Sequence, residues 1–269
     1  MTTTEDEALY LYYLTAPEYF GALEVRRVDG ADRLLAHRHA DLVALLGIVA
    51  IDEFCGPEAE RRLSDLGWVS QRALRHERVI EDGFRRGPVL PAGFGTLFSS
   101  IEAVERFIEQ NRRTAVDFLG AVRGQEEWGI KALLERPAAK KWLSTQMASA
   151  AVEEIPASPG LRYVQARRAE AMAEKQLARW LLESCEAIAL SLDEFATDRR
   201  QRKILDTAVA GDARELVLNL ATLVPHDRLG ALVSHIERVN AERSAQGLSF
   251  VLNGPWPPYS FCPPLAAPR

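Results

Sequence analysis

From Leu161 to about Ala196, apolar residues return in steps of three and four: Ala166, Ala169, Ala173, Leu177, Leu181, Cys185, Ile188, Leu192 and Phe195. That spacing keeps one face of a 3.6-residue helix apolar and predicts one continuous helix. At 1.5 Å per residue it is roughly 50 Å long. A rod of that length either lies across a whole sheet or projects from it. Its stripe reads first as core, with a partner surface as the second use of so long a helix.

The flanking segments supply a sheet for it. Glu126–Leu134 suits a strand, Ala138–Ala151 a short helix, and Pro156 with Pro159-Gly160 a loop. After the long helix, Lys203–Ala210 and Glu215–Val224 read as two strands joined through Gly211-Asp212, and so short a link makes them antiparallel. Pro225 and Asp227 open a helix that Gly247 ends, and Leu248–Leu252 is the last strand. Setting the short helix aside, the order is strand, helix, strand, strand, helix, strand, which is the split βαβ order.

The first half is of mixed type as well. Ala8–Leu14 reads as a buried strand closed by Pro17, and Val25–Val28 as one arm of a hairpin turning at Asp29-Gly30. Leu42–Ala50 fits either a strand or a short helix. Helical spacing runs from Pro57 through Leu66 to a stop at Gly67, then from Trp68 to Phe84. Val89–Phe98, interrupted by Pro91, reads as an edge or bulged strand; Ser99 or Ser100 caps a helix that ends near Gly124. At 269 residues, two domains of an α+β fold are expected, 1–124 and 125–269.

A formal charge of −5 argues against a nucleic-acid partner, although the run Arg199, Arg200, Arg202, Lys203 has the charge to dock an anion if it is not simply a solvated face. Three widely spaced cysteines form neither a disulfide framework nor a CxxC site, which points to a reducing, cytoplasmic setting. The polar, acidic Met1–Glu7 is no signal peptide, and no apolar run approaches the length of a membrane span.

Catalytic patterns are incomplete. His37-Arg-His39 puts two imidazoles on one face if extended, but nothing at ligand spacing completes a metal site. His76-Glu77 begins an HExxH pattern that fails at Ile80. Gly93-Phe94-Gly95-Thr96 is neither a P-loop nor part of a GxGxxG, and no GxSxG occurs. Cys55 and Cys185 read as small core residues, and the pairs Glu126-Glu127 and Glu153-Glu154 as facing water. No catalytic residue, cofactor or metal is expected.

The densest signal is Asn253-Gly-Pro-Trp-Pro-Pro-Tyr-Ser-Phe261, with three prolines and three aromatics in nine residues. Proline removes amide donors, so this stretch belongs at an edge or surface. It is either a clasp, with Trp256, Tyr259 and Phe261 packing back on the core, or an aromatic platform for a protein partner, or a PxxP ligand spanning Pro255 to Pro258. The candidate residues are Gly254, Pro255, Trp256, Pro257, Pro258, Tyr259 and Phe261.

That ending resembles the terminal signature of the gas vesicle protein F/L family. Other stretches agree in order: Tyr10-Leu-Tyr-Tyr13, Trp68 followed by His76-Glu77, Val89-Leu-Pro91 with Phe94-Gly95-Thr96, Glu127-Trp128-Gly129-Ile-Lys131, and Leu218-Asn219-Leu220 with Leu223-Val224. Where the family has a basic or polar residue between Pro91 and Phe94, this chain has Ala92-Gly93. The resemblance implies an N-terminal modified ferredoxin-like domain and a C-terminal α+β domain. It also implies a part in building gas vesicles without catalysis, and as partners the shell protein, gas vesicle protein A, and other accessory proteins. Two rival readings stand beside it. A small-molecule-binding or enzymatic protein on a ferredoxin-like scaffold would show a deep pocket with His37, His39 or His76 converging on it. A signalling adaptor would present Trp256 to Tyr259 exposed and mobile.

Overall fold

The computed structural model describes residues 6–21, 28–30, 34–148, 159–204 and 214–266. The chain forms two units, Met1–Glu126 with Trp256–Arg269, and Glu127–Pro255. The tail, expected in the second domain, is divided: Asn253–Pro255 stay with the second unit and Trp256 onward groups with the first.

The first unit contains strands β1 (Glu7–Thr15), β2 (Leu35–His39), β3 (Leu42–Ala50), β4 (Val89–Pro91) and β5 (Leu97–Phe98), and helices α1 (Pro57–Leu63), α2 (Leu66–Phe84) and α3 (Ile101–Ala121). Its sheet runs β2-β3-β1-β4, with β5 also on β1. Leu42–Ala50, open between two readings from sequence, is a strand. The interrupted Val89–Phe98 strand is two short ones on β1, and the expected hairpin at Asp29-Gly30 lies partly outside the described residues. Gly67 does not end α1. Asp65 accepts from the amides of Gly67 (2.8 Å) and Trp68 (3.2 Å), so it caps a new helix and leaves Gly67 inside its first turn.

β1 is buried on both faces, and one irregularity decides what each face holds. Along Ala8, Tyr10 and Tyr12 the pleat alternates, and the register on β3 then shifts between Leu11 and Tyr13. The extra residue turns Tyr13 to the side of Tyr10 and Tyr12, where all three pack with Val79 and Ile80 of α2. Tyr13 then lies so close to α2 that a Cβ on Gly83 would come within 2.6 Å of its ring. On the opposite face, Leu11, Leu46 and Leu35 are register partners, as are Ala44 with His37 and Leu42 with His39. This face packs on α3.

Within the α2 face the polar atoms form a closed chain. The Gly95 amide donates to Tyr10 Oη (3.1 Å), Tyr10 Oη meets His76 Nδ1 (3.0 Å), and His76 Nε2 reaches the Ala92 carbonyl (3.2 Å). Tyr12 stacks on the imidazole at 5.7 Å, and Phe54 and Phe94 ring Tyr10. His76 is only 5% exposed, and burial takes its pKa from the ordinary 6.5 down to about 4.

The second unit holds β6 (Gln125–Leu134), α4 (Arg136–Ala148), α5 (Pro159–Ser191), β7 (Asp198–Gln201), β8 (Glu215–Pro225), α6 (Leu229–Arg243) and β9 (Leu248–Trp256). The sheet order β7-β8-β6-β9 is that of a split βαβ unit. The strand expected at 203–210 falls mostly on 205–213, outside the described residues; β7 precedes it and pairs antiparallel with β8. The long helix is present at 33 residues; of its expected stripe Leu177, Ile188 and, just beyond its end, Leu192 are buried, Ala173, Leu181, Cys185 and Phe195 are half-buried, and the side chains of Ala166 and Ala169 lie outside the description. Ile188 and Leu192 pack with Ile130, Leu220, Leu232, Ile236 and Phe250. Arg136 holds Glu215 through two 2.7 Å bonds and reaches Glu174 at 3.1 Å, tying α4 to β8 and α5.

Two measurements follow. Gly83→Ala forces the Tyr13 ring out of its seat and lowers stability in urea unfolding by about 1–3 kcal/mol. For His76, the unfolded chain binds a proton between about pH 6.5 and pH 4 that the folded chain refuses. Stability is therefore full above that window and lost as pH falls through it, by on the order of 3 kcal/mol. His76→Gln flattens this component in urea midpoints measured across the window.

Candidate functional site

The tail signature begins inside β9, the last strand of its sheet, where Pro255 lacks only an amide that an edge strand does not need. Gly254 takes φ +153°, and a Cβ there would lie 2.9 Å from two ring carbons of Trp128 on β6. The signature glycine is thus fixed by the indole of the Glu127-Trp128-Gly129 stretch.

From Trp256 the chain belongs to the first unit. Pro257, Pro258 and Phe261 are buried, whereas Pro255, Trp256 and Tyr259 are exposed. A 3-10 turn over Tyr259–Phe261 closes with the Phe261 amide on the Pro258 carbonyl at 3.1 Å. Further on, Asn111 of α3 anchors the chain: its Oδ1 accepts from the Ala266 amide (2.8 Å) and its Nδ2 donates to the Phe107 carbonyl (2.9 Å). Pro257, Pro258 and Phe261 pack in, as a clasp requires, while Trp256 and Tyr259 are each 37% exposed. Asn111 was not singled out from sequence. Its signal was a polar residue on the apolar face of α3, four residues from both Phe107 and Ala115.

The two histidines of β2 point at α3. His37 Nε2 lies 3.0 Å from Glu105 Oε1, His39 Nδ1 lies 3.5 Å from the same oxygen, and His39 Nε2 lies 2.8 Å from Glu109 Oε1. The partners that the sequence lacked nearby come from a helix about seventy residues on, one turn apart on one face. His76 is elsewhere, in the aromatic core.

Other candidates resolve differently. Glu127, expected to face water, is fully buried and paired with Arg202, which removes the cost of an isolated buried carboxylate. Arg199 pairs with Asp193 at 3.2 Å and Arg200 with Asp198 at 3.8 Å, so three cations of the basic run are matched by acids of their own unit. Cys55 is exposed and not a core residue; Cys185 is half-buried, and burial pushes its thiol up to about 11, far from a reactive thiolate. Beside Cys185 an open groove of about 710 Å³ runs between α5 and β7–β8, lined by Leu181, Leu182, Arg199, Gln201 and Val217. None of His37, His39 or His76 lines it. No helix among the described residues is long and apolar enough to cross a membrane.

A family model described as gas vesicle synthesis protein GvpL/GvpF matches residues 8–263. The chain is 30% identical over 257 residues to gas vesicle protein L of Streptomyces sp. (strain CB03234), covering 95% of this chain and 93% of that one. Its fold is similar to the crystal structure of gas vesicle protein GvpF from Anabaena sp. PCC7120, with a TM-score of 0.68, 15% identity and 97% and 98% of the two chains covered. The GvpF structure from Microcystis aeruginosa gives a TM-score of 0.66 at 15% identity over 96% and 99%. At that identity the structures speak to the mixed helix-and-sheet fold alone. The family model and the relative speak to more: the chain belongs to the gas vesicle synthesis protein GvpL/GvpF family.

Proposed function

We propose that this chain is a non-catalytic accessory protein of gas vesicle assembly in the cytoplasm, binding the shell protein, gas vesicle protein A, and other accessory proteins. It would serve as a minor shell component or as an assembly factor. Membership of the family along residues 8–263 carries the role in gas vesicle formation. The contact surface we assign to Trp256 and Tyr259. These two aromatics stand 37% exposed on a backbone whose Pro257, Pro258 and Phe261 are buried, so the pair is presented in a fixed geometry at little entropic cost. Aromatic side chains so held are the type that anchors protein interfaces. Their neighbours hold the frame, which argues against a mobile adaptor tail.

The groove of the second unit does not favour the enzymatic alternative, because its one cysteine is held as a thiol and its Arg199 is already paired with Asp193. Its lining is largely aliphatic.

Capture of shell and accessory proteins from vesicle-forming cells, together with vesicle yield, tests the proposal. The double variant Trp256→Ala, Tyr259→Ala is expected to keep its thermal midpoint but lose capture and yield by about tenfold or more. Phe261→Ala is expected to lose about 3–5 kcal/mol of stability instead, because it empties a buried site. Wild-type chain that captures neither shell nor accessory protein would sink the proposal.

A further inference from the structure

We propose that His37, His39 and Glu105 form a binding site for one borderline divalent transition-metal ion such as Zn²⁺, with Glu109 as a positioning residue for His39. The site lies wholly in the first unit and is independent of the vesicle role.

The backbone prepares it. Because β2 is extended, residues two apart share a face, and the two imidazoles stand nearly parallel, 18° apart in plane with centroids 6.4 Å apart. The register puts them opposite Ala44 and Leu42, on the side of the sheet that α3 covers. Glu105 and Glu109 follow one another by a helical turn and meet the imidazoles from above.

The separations from each imidazole to Glu105 suit a metal. One donor atom each from His37, His39 and Glu105 lies within 4.8 Å of the other two. Ligand atoms about 2.0–2.1 Å from a tetrahedral zinc are roughly 3.3–3.4 Å from each other. The two donor separations to Glu105, 3.0 and 3.5 Å, bracket that value.

The two nitrogens of His39 add an independent argument. Nε2 is 2.8 Å from Glu109 Oε1, where a ring N–H donates to the carboxylate and leaves Nδ1 as the nitrogen available to a metal. In the neutral tautomer with the hydrogen on Nε2, the Nδ1 lone pair of His39 faces Glu105 Oε1. Two acceptors face each other at 3.5 Å, too far for a proton between them to make a good hydrogen bond and at the right span for a metal bonded to both. A carboxylate that fixes the tautomer of a ligating histidine is the usual outer support of such sites. Asp41, the nearest further acid on the β2–β3 turn, is already held by Arg112 at 2.8 Å. Among the described residues three ligands converge, His37, His39 and Glu105, and water would take a fourth position. Two imidazoles and one carboxylate favour zinc, cobalt, nickel or ferrous iron over calcium or magnesium, which take oxygen.

The test uses the full chain stripped with chelator and titrated with Zn²⁺ by calorimetry, and with Co²⁺ by visible absorption. One ion per chain is expected, with the intense d–d bands of four-coordinate Co²⁺. At a hundredfold excess over Kd, Zn²⁺ should raise the folding equilibrium constant about a hundredfold, seen as a higher thermal midpoint. His37→Gln and Glu105→Gln should abolish binding, Glu109→Gln should weaken it by about 10–100-fold, and His226→Ala should leave it unchanged. Circular dichroism of the metal-free variants shows whether each is folded. If a variant is not, the Co²⁺ spectrum of the wild-type chain decides. Zinc affinity unchanged in folded His37→Gln and Glu105→Gln, no uptake at millimolar Zn²⁺, or a weak six-coordinate Co²⁺ spectrum would each overturn the proposal.

Discussion

The first unit is organised around an imidazole that has been taken out of water and given a partner at each nitrogen. Tyr10 and the Ala92 carbonyl occupy the two sides of His76, and the Gly95 amide occupies the tyrosine oxygen in turn. In a dry, aromatic surround each such bond is costly to leave unmade, so the polar atoms fix relative positions more sharply than apolar contacts do. The chain passes through β1, α2 and the loop between β4 and β5, which are the three places where the scattered signature residues Tyr10, His76 and Phe94-Gly95 occur. Residues far apart in sequence are thus one packing problem. The bulge in β1 belongs to the same solution, since it brings Tyr13 round to the face where Gly83 leaves room.

Much of this architecture was legible from local chemistry. The long helix, the capping of α3 by Ser100, the strand order of the second unit and the edge position of the proline-rich segment all follow from short-range patterns. What was not legible depends on which of several possible partners a residue takes, most of them distant in sequence. Gly67 looks like a helix stop until Asp65 is seen to cap, and two consecutive glutamates look solvated until Arg202 is folded against one of them. The histidines of β2 lacked a third ligand only because α3 brings its carboxylates across the sheet from another part of the chain. Strand β7 was not read because its residues, Asp198–Gln201, are polar and lie on a sheet edge, where the alternation that marks a half-buried strand is absent.

The tail divides labour residue by residue. Proline removes both a donor and most of the backbone freedom, so Pro257 and Pro258 bury surface without leaving an amide unpaired. An exposed aromatic beside such a frame loses little freedom on meeting a partner. Sequence alone leaves clasp and platform as alternatives because both need the same residue types, and which of them are buried depends on contacts made with distant parts of the chain.

The hold of Asn111 on Ala266 joins residues 155 apart in the chain, with the whole of the second unit made between them. During synthesis the amino-terminal sheet and its helices are available early, yet α3 keeps a buried amide side chain waiting for its backbone partner until the tail emerges. Until then that side chain has water in place of the Ala266 amide, and a chain that ends before Ala266 lacks the bond. Only a chain translated past the second unit completes the first, so the fold itself registers whether translation has reached the tail.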